Sequence, residues 1–88
     1  MALVQYDPEQ LDRAASALTR SRTALVNEAR SVDAAIGGLT GFTDPSAERF
    51  RQDVRQVART LQQQSEVLAA QAKHLRRLAQ DVRNLSKR

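Results

Sequence analysis

Two ladders of large aliphatic residues, each with a strict seven-residue step, constrain this chain more than any other feature. Leu11, Leu18, Leu25 and Val32 make the first; Val54, Leu61, Leu68, Leu75 and Val82 make the second. A step of seven brings a side chain back to nearly the same helix face every two turns. Sevens sustained this long predict coiled-coil-like packing of α-helices. Ala14, Ala15, Ala29 and Ile36 flank the first ladder; Phe50, Val57, Ala58, Ala72, Leu78 and Leu85 flank the second. No comparable period-two alternation competes, so strands have little support.

The helix breakers fall between the ladders. Gly37, Gly38 and Gly41 are the only glycines, and the prolines, Pro8 and Pro45, each follow an Asp. Pro is tolerated at the first helical position, and a preceding Asp accepts otherwise unpaired amide protons at the N-cap. "DPEQ" at 7–10 therefore predicts one helix start, with Gln10 at the capping-box position and Tyr6 placed to staple against Leu11. "DPSA" at 44–47 predicts a second. Gly37 and Gly38 are expected to supply the positive φ of a helix terminus. The resulting helices, 8–36 and 45–86, would be about 43 and 63 Å long. Their short connection makes them an antiparallel hairpin.

One hairpin is a small scaffold. Of its hydrophobic residues 14 are Ala, there is no Cys to form a disulfide, and the single His makes no metal cluster. Chains this short usually need such a staple or an oligomer partner. The expected completion is an all-α four-helix bundle of two hairpins packed at about +20°. The partner is either a second copy or a related helical-hairpin chain. Small residues at Ala14, Ala17, Ser21 and Ala24 place the first helix at the dimer seam, because they permit close approach.

Little in the sequence suggests catalysis or a cofactor. His74 sits beside the apolar stripe, the serines lack a His–Asp arrangement, and Asp53, Glu66 and Asp81 are scattered. The glycines are not followed by the Gly-Lys-Ser/Thr of a phosphate loop. We therefore expect no catalytic, cofactor-binding or metal-binding residues.

Charge is divided between the halves: residues 45–88 carry ten Lys or Arg against four acids, whereas residues 1–44 carry four Arg against six acids. Arg49, Arg55, Arg59, Lys73, Arg76, Arg77, Arg83 and Lys87 are expected on the outer face of the second helix. Such a face attracts anionic partners, but it equally describes a solvated surface whose terminal cations complement the helix dipole. Without aromatic residues for base stacking there, the solvated surface is the preferred reading, and nucleic acid is not the expected partner. Gln64 and Gln71, one heptad apart in the row of Val57 and Leu78, either fix register or mark where interior gives way to solvent.

The segment "LTGFTDPSAERF" at 39–50 completes the pattern. A two-helix chain of this length, with an aromatic just before its second helix, resembles the WXG (ESAT-like) family of small type VII, or ESX, secretion substrates. Phe42-Thr43-Asp44 occupies the place of that family's Trp-x-Gly turn, Ala47 its small-residue region and Phe50 its later aromatic. The opening "MALVQYDPEQL" is similar to the family's approach to its first helix. Both signature letters differ, with Phe42 for Trp and Asp44 for Gly. The Tyr-x-x-x-Asp/Glu signal found after the second helix in many members is missing, the sole Tyr being Tyr6.

The resemblance implies a non-enzymatic substrate or export adaptor that works by protein–protein binding, with a secretion ATPase or effector cargo as further partners. It points to Phe42, Asp44 and Phe50 as the docking residues. The same aromatics can also be read as an end-cap over Ile36 and Leu39. No conventional signal peptide or membrane span is apparent. The expectation is a cytoplasmically made protein, exported through a type VII system. A filament or needle subunit, and a coiled coil that binds nucleic acid through its basic face, are the alternatives.

Overall fold

The computed structural model describes residues 6–39, 41 and 43–87. Two helices account for nearly all of them: α1, Pro8–Gly37, and α2, Pro45–Ser86. Both start where the Asp-Pro pairs predict. Asp7 is extended and its Oδ1 accepts from the Glu9 amide at 3.0 Å; Asp44 does the same for Ala47 at 2.7 Å. Each cap satisfies an amide that the first helical turn leaves without a carbonyl.

The end of α1 departs from expectation. Gly38 is right-handed, with φ −78, and its amide donates to Ala34, while the Leu39 amide donates to Ile36. The helix runs out through a tightened turn, so no left-handed residue is needed there. The positive φ belongs to Gly41, at 83°. It lies in the connecting segment, where glycine meets no steric penalty for that conformation.

The helices pack as an antiparallel hairpin in a rod of 67 × 18 × 13 Å. Arg83 reaches Asp12 at 2.6 Å, and Arg76 reaches Thr19 at 3.2 Å. Stepping seven residues forward along α1 while stepping seven back along α2 keeps the helices in register. That register sets Gly37 opposite Ala58, and the two line one groove. The first three turns of α2, residues 45–57, therefore extend about 20 Å past the end of α1. The connecting segment returns along this overhang, and Arg51 Nη2 donates to the Leu39 carbonyl at 3.1 Å.

The buried line is not the Leu/Val ladder. Ala15, Ala29 and Ile36 of α1 are buried, as are Ala58, Ser65, Ala72 and Ala79 of α2, the α2 residues seven apart. Small side chains let the helices approach closely along this seam. Ser65 Oγ donates to the Gln62 carbonyl at 2.6 Å, so the hydroxyl enters the seam with its hydrogen bond made. Leu11, Leu18, Leu25, Val32, Val54, Leu61, Leu68 and Leu75 are only half-buried; of the ladder residues, Val82 alone is fully buried. Ala14, Ala17, Ser21 and Ala24 are exposed. They lie off the α1–α2 seam.

Candidate functional site

The turn end of the hairpin is where local sequence and packing produce the most varied surface. Asp44 stops the connecting segment and starts α2. Its carboxylate is engaged by the Ala47 amide, so the residue shapes the turn as a cap. Ala47 is buried, whereas Phe50, one turn further, is 50 % exposed. Leu39, Asp44, Ser46, Ala47 and Phe50 line an open, mainly apolar recess of about 390 Å³. Phe50 thus forms a wall of that recess, which it shares with Leu39, and is left half exposed in the single chain. The physical reason is the overhang: Phe50 lies on the part of α2 that has no α1 beside it. Phe42, the other aromatic of the expected docking set, lies outside the described residues.

Arg51 organises this end, and nothing in the sequence reading singled it out. Its side chain is 18 % exposed, lies 3.7 Å from Glu48 and donates to the Leu39 carbonyl. The available signal was its register: Arg51 lies one heptad before Ala58, in the row that α1 buries further along. A cation there is tolerated because the connecting segment offers a carbonyl in place of a helix face.

A second groove, of about 470 Å³, opens where α1 ends, between Asp33, Ile36 and Gly37 on one side and Arg55, Ala58, Arg59 and Gln62 on the other. His74 is exposed and borders a shallow polar depression with Lys73 and Arg77. Among the described residues no three His, Cys, Asp or Glu side chains converge as a metal site would require.

The expected basic outer face is only partly outer. Arg76 and Arg83 turn toward α1 and engage Thr19 and Asp12. Measured from the Leu/Val ladder they point outward, but the seam runs along the Ala/Ser row. Each lies four residues beyond a buried Ala, Ala72 or Ala79, and so at the edge of the seam. Thr19 in turn donates to the Ala15 carbonyl at 3.0 Å, so Arg76 joins a short chain of hydrogen bonds. Arg49, Arg55, Arg59, Lys73, Arg77 and Lys87 are exposed.

No helix among the described residues is long and apolar enough to cross a membrane. The geometry offers two candidate binding surfaces: an apolar recess at the turn end and a half-exposed Leu/Val face along the rod. No protein-family model matches the chain, and neither does any curated protein or solved structure.

Proposed function

We propose that this chain is a WXG-like helical hairpin of a type VII secretion system, an exported substrate or export adaptor that acts by protein–protein binding. In this reading it works as a four-helix bundle of two hairpins. The observation that carries the proposal is the Leu/Val ladder left half-buried in a hairpin whose own seam is built from Ala and Ser. Such a chain keeps its larger apolar side chains for another partner. The resemblance at 39–50 supplies the secretion context, and the recess walled by Phe50 supplies a docking surface for the export machinery.

Light scattering on the purified chain across concentration tests the assembly. A closed dimer levels off at twice the chain mass; continued growth would instead indicate a filament subunit. The secretion role is tested by expressing the chain with a type VII system and measuring export of wild type and Phe50→Ala. The variant should stay helical, because Phe50 supports none of the seam, and should lose export. Equal export of the two proteins would remove the recess from the mechanism.

A further inference from the structure

We propose that α2 carries a cationic strip, formed by Arg55, Arg59, Lys73 and Arg77, that binds the phosphate backbone of double-stranded nucleic acid without reading its sequence. The proposal stands apart from the secretion reading, because it concerns another face and another partner. By sequence alone this charge reads as a solvated surface. The placement of the neighbouring acids and arginines in the fold changes that.

Eighteen residues make five turns at 3.6 residues per turn, so Lys73 stands in line with Arg55 and Arg77 in line with Arg59. The second pair lies about 27 Å further along the helix. All four side chains are exposed, and none forms an ion pair among the described residues. Arg76, beside them, donates to the Thr19 hydroxyl, a neutral group, so its charge is also uncompensated. The acids that alternate with these cations in the sequence are mostly drawn off. Glu48 pairs with Arg51, and Asp12 with Arg83. Asp53 lies more than a quarter turn round the helix from the strip, and Asp81 lies past its end. Asp33 borders the groove of Arg55 and Arg59 from α1 and leaves that end with a net positive charge. Glu66 alone interrupts the strip itself, between the two pairs.

What the strip lacks distinguishes the anionic partners. The exposed large apolar side chains Tyr6, Leu39, Phe50, Val57 and Val67 all lie outside it. With nothing apolar to insert, it gains only screened attraction from a bilayer. With no aromatic to stack on, a single strand loses its main sequence-independent contact. A duplex needs neither, because phosphate neutralisation and counterion release supply its non-specific binding. The guanidinium fork of the three arginines also matches phosphate oxygens. The strip faces away from the Leu/Val ladder, so a partner covering that ladder leaves it open.

Fluorescence anisotropy of a labelled mixed-sequence duplex, titrated with the full chain at several salt concentrations, tests the proposal. Four phosphate contacts predict a slope of about −3.6 for log K against log salt, so a fourfold rise in salt should weaken binding about 150-fold. Arg59→Gln combined with Arg77→Gln should flatten the slope by about 1.8, and Glu66→Gln should tighten binding. Arg13→Gln combined with Arg20→Gln removes the same charge from α1 and should leave the slope nearly unchanged. An equal loss in the two double variants would mean that net charge alone drives binding, and would overturn the strip. Circular dichroism should show equal helical content in all of them, because none of these side chains is buried in the seam. Tighter binding to the single strand, or binding to phosphatidylserine vesicles with none to the duplex, would overturn the choice of partner. No binding at low salt would overturn the strip and leave the secretion reading intact.

Discussion

At the scale of single residues, glycine shows how position decides the sign of a substitution. Gly37 is helical with no atom within 4 Å of an added Cβ, so Gly37→Ala meets no clash. The variant should gain roughly 0.4–1 kcal/mol, by raising helix propensity and restricting the unfolded chain. Gly41 has equal space but a φ of +83, and Gly41→Ala should cost about 1–2 kcal/mol in strain alone. Urea unfolding of the two variants checks the contrast, and a shift of the same sign in both would refute the assignment of the left-handed residue to Gly41. Asp44→Ala removes the 2.7 Å cap of α2 and should cost about 0.5–2 kcal/mol. Both Asp-Pro caps were readable in advance because capping is local chemistry. Which glycine takes the positive φ was not, because that depends on the path of the segment between the helices.

At the scale of the helix pair, the unread feature is the identity of the seam. The heptad ladder marks an apolar stripe but does not say which edge of it another helix takes. Close approach favours the Ala/Ser row, and the Leu/Val row is thereby left at the margin. Two consequences separate these rows. Ala72→Leu inserts three carbons where the helices touch and should destabilise by about 1–3 kcal/mol through overpacking, although Leu is the stronger apolar residue. Thermal unfolding at low concentration measures this, and a stabilised variant would place the seam elsewhere.

The same displacement brings Arg83, an outer cation by the Leu/Val ladder, to the edge of the seam. Its 2.6 Å pair with Asp12 leaves the two side chains 37 % and 41 % exposed, so solvent screens it. A double-mutant cycle with Asp12→Asn and Arg83→Gln should return a coupling of about 1 kcal/mol or less, smaller still in high salt.

At the scale of the whole molecule, unequal helices create an end where one helix stands past the other. The register of Asp12 with Arg83 and Thr19 with Arg76 carries residues 45–57 beyond α1. Among the described residues, α2 is met there by the connecting segment, held through Arg51 and Leu39. Helix lengths were readable from the breakers; the register was not, since it depends on long-range pairs between side chains far apart in the sequence. Local stability follows local burial, so the amides of residues 49–57 should exchange faster than those of residues 62–82 in the dilute single chain.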